Sequence, residues 1–304
     1  MKKFGLVPKR LFFDEFSKTL GNREIYYYSF NEGVEPLKEV DLYFNRIIEN
    51  HGNRHVPVYR LCDAEYMYTM GVKVPRFKMS LKTRLGIIGR GLLVRFNLMN
   101  QRTWHGENYS ATEKRRLKRK YINDLQQIAK DGFLAPHLLL SEGKFCEEYN
   151  EPMVKYFHRH TIPFHKDNFF PFYFVYVILS LKKYKEKLFN GKNVLVLTSF
   201  NERKRKESFE AEFRKEGVAN IYYYEISATK SMMEIIDPSK LPAKVDLVLI
   251  GAGIGSANIL NQIKHLKAIC IDAGHALDCF SSPQLRQERV CLYPDEMINE
   301  TATA

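Results

Sequence analysis

The 304-residue sequence has little cysteine, no long apolar run and, over one stretch, almost no acid. Each shortage excludes something. The five cysteines (Cys62, Cys146, Cys270, Cys279 and Cys291) are odd in number and show no CxxC spacing. A disulfide framework or structural zinc site is therefore not expected, and a reducing, cytoplasmic setting is. The longest apolar stretch, Phe169 to Leu181, holds Pro171 and falls short of the ~20 residues that a bilayer-spanning helix needs. After Met1-Lys2-Lys3, the residues Lys9, Arg10 and Asp14 interrupt any signal-peptide core, so no secretory leader is expected. Repeats and low-complexity segments are absent. At 45% hydrophobic and 27% charged, the composition is that of a folded chain able to bury a core.

The missing acids concentrate the net charge of +12. Between Lys73 and Lys120 fourteen Lys or Arg face only Glu107 and Glu113, so this window carries the whole excess. Such a block implies an anionic partner: nucleic acid, a lipid head group or a phosphate-bearing substrate. The window lacks the periodic aromatics of a base-stacking platform, and no zinc-finger or RNP-type motif occurs, which argues against nucleic acid. The plainer reading is a solvated basic helix that keeps the protein soluble.

What is present reads as α/β. In the C-terminal half, about 166–290, the apolar runs 193–198, 221–226, 245–250 and 268–272 are expected strands. They alternate with a charged helix over 202–216, with Phe209 and Phe213 at i, i+4, and an apolar helix over 257–266. A Rossmann-like parallel sheet with crossover helices follows. The N-terminal half, about 1–165, is expected to be mixed and mostly helical. Val56 to Leu61 reads as a strand, Arg76 to Asn100 as partly helical with breaks at Gly86, Gly89 and Gly91. Ser110 with Glu113 makes a capping box for a helix whose apolar stripe is Leu117, Tyr121, Leu125 and Ile128, stopped by Gly132. No strong linker separates the halves, so they are expected to pack as one domain. Phe169 to Leu181 reads as a helix buried beneath the sheet, the alternative being contact with a membrane interface.

Two acidic motifs stand out. Arg60-Leu-Cys-Asp63-Ala-Glu65 follows the strand at Val56. On extended backbone two carboxylates at i and i+2 point the same way, whereas on a helix they diverge by about 200°. Two hard oxygen ligands at a strand end suit Mg²⁺ or Mn²⁺, and Arg60 offers a planar fork to a phosphate or to a carboxylate. The bland alternative is a solvated turn with one salt bridge. The second motif, Asp272-Ala-Gly-His275-Ala-Leu-Asp278, ends the last strand, where open α/β sheets place their ligands. Its His and two Asp offer a general base, a metal contact or a ribose contact; the alternative is a turn cap and a hydrogen-bonded loop residue.

The first motif resembles the R-x-G-D-G-E segment of the GT-D-fold bacterial glycosyltransferases. The stretch Val245-Asp-Leu-Val-Leu-Ile-Gly-Ala-Gly253, followed by Ala268-Ile-Cys-Ile-Asp-Ala-Gly-His-Ala-Leu-Asp278, is similar to that family's closing strand–glycine loop–helix–strand unit. Order and spacing agree over roughly residues 50 to 280. Cys62 and Ala64 stand where the family has glycines. The resemblance implies transfer of a hexosyl unit from a nucleotide-diphosphate sugar in polysaccharide or glycoprotein biosynthesis, with the DxE acids, Asp63 and Glu65, approaching Mn²⁺ or Mg²⁺. Asp272, His275 and Asp278 are then the candidates for the base. The basic window would face an anionic or lipid-linked glycan acceptor, with a peripheral contact at the inner face of the membrane.

Gly251-Ala-Gly253-Ile-Gly255-Ser256 lies between a strand and a helix, where glycines let backbone approach a diphosphate. Arg60, Gly251, Gly253, Gly255 and Ser256 are thus the expected donor-binding residues. The third glycine of a dinucleotide fingerprint is replaced by Ser256, and the loop sits on a late strand, which disfavours NAD and S-adenosylmethionine. An oxidoreductase or methyltransferase built on this loop is the alternative function, and a tight turn without ligand is the structural one.

Overall fold

The computed structural model describes residues 1–11, 25–70, 81–96, 98–99, 101–102, 108–141, 147–199 and 203–281. Cys146, Cys291 and much of the basic window (71–80, 97, 100 and 103–107) lie outside the described residues, as does the side chain of Asp63.

Strands β1 (Val7–Arg10) and β2 (Ile25–Ser29) are followed by helix α1 (Pro36–Glu49), β3 (Val56–Leu61), α2 (Asp63–Met70) and α3 (Leu81–Arg95). Then come the short β4 (Gln101–Arg102) and β5 (Asn108–Tyr109), α4 (Ala111–Asp131), β6 (Phe133–Pro136), β7 (Leu139–Ser141) and α5 (Glu147–Arg159). The C-terminal half runs α6 (Phe172–Ser180), α7 (Lys182–Phe189), β8 (Asn193–Thr198), α8 (Arg203–Lys215), β9 (Asn220–Glu225), β10 (Leu247–Gly251), α9 (Ser256–Gln262), β11 (Ile269–Asp272) and α10 (His275–Ser281).

Six strands form one all-parallel sheet in the order β6-β3-β11-β10-β8-β9, flanked by helices on both faces. The expected α/β architecture is therefore present, and the N-terminal half is mixed and mostly helical as expected. That half also contributes β3 and β6 to the common sheet and forms a three-stranded antiparallel sheet, β1-β2-β7. A central strand needs neighbours on both edges, and β11 finds one of its two in β3, with Val56 opposite Ile269 and Val58 opposite Ile271.

The fully buried strands read as continuous apolar runs because both faces are covered. Along β8, Val194 and Val196 join the core beneath α1, α6, α8 and α10, whereas Leu195 and Leu197 join the core beneath α4 and α9. Helix α6 is buried at every residue, so Phe169 to Leu181 is core rather than a surface stripe. Its aromatic and β-branched residues are weak helix formers; packing decides its conformation.

Helix α4 has the expected capping box: Glu113 N donates to Ser110 Oγ (3.2 Å) and Ser110 N to Glu113 Oε2 (2.7 Å). Its stripe Leu117, Tyr121, Leu125 and Ile128 is buried. Gly132 stops it, and a Cβ there would lie 2.1 Å from the Pro57 carbonyl, so β6 can approach β3 only with glycine at that position. Helix α3 departs from expectation, running unbroken through Gly86, Gly89 and Gly91. Glycine inside a helix costs about 1 kcal/mol relative to Ala but does not by itself end it.

Candidate active site

The carboxyl ends of β3 and β11 lie side by side, bringing the two acidic motifs together across 212 residues of chain. Arg60 is the tie. Its Nε donates to the Asp272 carbonyl (2.6 Å), its backbone N to Asp272 Oδ2 (3.3 Å), and Nη2 lies 3.8 Å from Asp272 Oδ1. Nη1 donates to the Tyr176 hydroxyl. The guanidinium lies over the rings of Phe172 (5.3 Å) and Tyr176 (5.1 Å), both on α6. Burial alone would draw the guanidinium pKa down; Tyr176 and Asp272 overrule it, and Arg60 stays charged. Asp272 is also buried. Burial pushes its pKa up, against Arg60 and the Ser256 hydroxyl, which donates to Oδ1 at 3.0 Å.

Gly274 makes this arrangement possible. Its φ is +47°, and a Cβ there would lie 1.5 Å from Arg60 Nη2. Glycine alone combines the left-handed backbone with room for the guanidinium.

The DxE acids do not stand on extended backbone. Chain direction changes at Cys62, and Asp63, Ala64 and Glu65 form the first turn of α2, so the i, i+2 spacing is not that of an extended strand. The reason is a cap: Glu65 Oε2 accepts from Cys62 N (2.9 Å) and from the Cys62 thiol (3.2 Å), the reciprocal half of a capping box. Glu65 is only 3% exposed. Burial, set against the Cys62 bond and helped by the nearby Asp272, raises its carboxyl to about 7. Acids of this type suit a divalent cation, whose charge would relieve the buried Glu65, but their place on one helical turn removes the extended-strand reason for pairing them. Among the described residues no three His, Cys, Asp or Glu side chains converge. A cation at Asp63 and Glu65 would take its remaining ligands from substrate oxygens or water.

The glycine loop follows β10. Connections leave β8 toward β9 and β10 toward β11, in opposite directions, so the crevice between β8 and β10 is a topological switch point. Gly251 and Gly255 nonetheless face protein. A Cβ at Gly251 would lie 2.8 Å from Leu277 and 3.0 Å from Thr198 Oγ1; at Gly255 it would lie 2.1 Å from Ser231 Oγ. Ser256 is fully buried, its hydroxyl committed to Asp272. Gly253, at φ +53°, opens the single 3₁₀ turn that precedes α9.

On the rim, His275 Nδ1 lies 3.3 Å from Asp278 Oδ2, and Asp278 Oδ1 accepts from Arg205 Nη2 (2.6 Å). The His275 side chain is 47% exposed. Of the three candidate bases, Asp272 is thus buried and tied to Arg60, whereas His275 and Asp278 form an accessible pair. A carboxylate on Nδ1 orients the ring and leaves Nε2 as the basic nitrogen.

Sequence reasoning missed Tyr176, Phe172 and Arg205. None carries a local signal: Tyr176 reaches Arg60 across 116 residues and Arg205 reaches Asp278 across 73. A cavity of about 370 Å³, lined by Arg54, Lys130, Gly132, Phe133 and His165 among others, opens at the amino end of β6, away from this chemistry. No protein-family model, curated protein or solved structure matches the chain.

Proposed function

We propose that this protein is a glycosyltransferase that moves a hexosyl unit from a nucleotide-diphosphate sugar to an anionic or lipid-linked glycan acceptor. The observation that carries the reading is the Arg60–Asp272 tie, which sets the R-x-x-D-x-E segment and the D-x-G-H segment on one edge of a parallel sheet. Open α/β sheets bind ligands at that edge. Asp63 and Glu65 are the residues that would hold Mn²⁺ or Mg²⁺. Such an ion supplies neutralising charge to a leaving diphosphate. Gly253 and the backbone around it, in the turn that follows β10, are assigned to the diphosphate. Gly251, Gly255 and Ser256 shape that turn by packing and by holding Asp272. His275 is assigned the proton of the acceptor hydroxyl, taken at Nε2, with Asp278 and Arg205 orienting the ring. Asp272 is a positioning residue that keeps Arg60 and the two strand ends in register.

The test is a thermal-shift screen of nucleotide sugars with and without Mn²⁺, followed by Asp63→Asn and Glu65→Gln. Ligands bound only to the native state raise the melting temperature. A nucleotide-diphosphate sugar is expected to raise it in the presence of Mn²⁺, and both variants are expected to lose that increment while remaining folded. Stabilisation by NAD or S-adenosylmethionine, with none by nucleotide sugars, would replace this reading with a cofactor-dependent one.

A further inference from the structure

The described residues that leave large apolar side chains in water are concentrated in one place. Of ten such residues, seven are Leu85, Ile88, Leu92, Leu93, Phe96, Leu98 and Met99, on α3 and just after it. Phe96 is 68% and Leu98 74% exposed. Leu85, Ile88, Leu92 and Phe96 recur at i, i+3, i+7 and i+11, the spacing of one helical stripe, and such a stripe ordinarily faces a core. Contiguous apolar surface of this kind marks a contact with another body.

The charge says which body. Helix α3 carries Lys82, Arg84, Arg90 and Arg95 and no acid, and the nearest acids along the chain are Glu65 and Glu107. A second copy of the chain would bring the same cations against these, a repulsive isologous contact. The exposed side chains are largely aliphatic, which gives single-stranded nucleic acid little to stack on. Aliphatic surface with cations and without acids complements an anionic lipid surface.

Helix α4, the other basic element, exposes Arg115, Arg116 and Arg119 but no large apolar side chain beside them, and its Lys114, Lys118 and Lys120 are engaged. Lys114 and Lys118 each lie 5.8 Å from the centre of the Tyr68 ring, Lys118 Nζ donates to Thr69 O (3.4 Å), and Lys120 pairs with Asp124 at 2.6 Å. Burial draws the Lys114 ammonium down to about 8. The three glycines of α3 meet nothing within 4 Å of a Cβ, so their cost of about 1 kcal/mol each has no packing reason among the described residues. A surface that covers the stripe would supply what offsets it.

The chain enters and leaves this segment beside the candidate active site. On one side Thr69, at the end of α2, is held by Lys118; on the other the Tyr109 hydroxyl accepts from Met232 N at 3.1 Å, next to Ser231, which donates to Ala252 O of the glycine loop at 2.9 Å. We infer that α3, with Phe96, Leu98 and Met99, is a membrane-docking element that lies in the head-group region of an anionic bilayer and presents the sheet's carboxyl edge to it. That the acceptor is carried by that membrane rests on the sugar-transfer reading; the docking itself does not.

The experiment is co-sedimentation of the full chain with phosphatidylcholine vesicles, with and without phosphatidylglycerol, at low and high salt. The protein is expected to bind only the vesicles containing phosphatidylglycerol, more weakly at high salt. The triple variant Leu85→Ser, Ile88→Ser, Leu92→Ser is expected to keep its melting temperature and its nucleotide-sugar shift while losing at least tenfold in vesicle binding. Lys82→Glu with Arg90→Glu, which leaves the stripe intact, should also weaken binding. Failure of the parent to bind anionic vesicles overturns the proposal, as does undiminished binding by the triple variant. A dimer in sedimentation velocity that the triple variant abolishes, without vesicle binding, also overturns it and assigns the stripe to self-association. Vesicle binding without any nucleotide-sugar shift upholds docking and removes the sugar-transfer reading alone.

Discussion

The two ends of strands β3 and β11 treat buried polar groups in opposite ways. At the carboxyl end, Arg60, Asp272 and Glu65 are all buried, and a charged guanidinium is kept there by a carboxylate, a phenol and two ring faces. At the amino end His55 is equally buried, 3.5 Å from the Cys270 sulfur, with no well-formed hydrogen bond to Nε2 among the described residues. Burial draws its pKa down to about 4, so it is neutral across the physiological range. One end of the sheet spends several side chains on holding charge out of water; the other discards the charge. Holding buried charge is costly unless it is paired, so the end that holds it is the better candidate for function. The cavity near the amino end has volume without that chemistry.

The comparison breaks most sharply at Arg60. Arg60→Met leaves Asp272 buried without its counter-charge, and the loss expected in chemical denaturation is about 3–5 kcal/mol. Adding Asp272→Asn should recover much of it, because the penalty is the orphaned charge. A double variant as unstable as the single would mean that the packing of the guanidinium between Phe172 and Tyr176 matters more than its charge.

A somewhat smaller effect is expected at the amino end, and it depends on pH. The unfolded chain protonates His55 below its ordinary pKa of 6.5, whereas the folded protein resists until about 4. The unfolded state therefore binds more protons in that window, and stability falls as pH drops from 6.5 to 4. Relative to His55→Gln, the parent should lose about 3 kcal/mol across the window and nothing above it. Parallel denaturation curves for both proteins from pH 8 to 4 would show a charged, partnered histidine instead.

The smallest effect on stability is expected at the rim. His275→Asn removes a half-exposed side chain and should shift stability by no more than about 0.5 kcal/mol. Turnover with a nucleotide sugar and acceptor should nevertheless fall by roughly 10²–10⁴-fold, the usual contribution of a general base. Unchanged turnover would pass the role to another group and leave the rim pair structural.

Local pattern was enough for much of the fold. The capping box at Ser110 and Glu113, the stripe on α4 and the apolar strands at 193–198 and 245–250 depend on spacing within a few residues. Where local rules competed, the reading failed. The segment after β3 is expected to hold its acids on extended backbone, but it begins a helix in which Glu65 accepts from the Cys62 N–H. The glycines of α3 looked like breaks because propensity is a weak prior once a helix can continue on both sides.

By itself the sequence determined that parallel strands would form, that acids would follow two of them, and that one stretch would be basic and free of acid. Periodicity and composition are local properties, and those conclusions need nothing else. Only the tertiary structure decided that the two acidic motifs share an edge, because β3 enters the sheet beside β11 through hydrogen bonds between residues some two hundred positions apart. It also decided that Tyr176 and Gly274 hold Arg60 in place, and that the apolar stripe of α3 faces water while the longer apolar run of α6 is core. Hydrophobicity says that a side chain gains by leaving water; which neighbour covers it is settled by the rest of the chain.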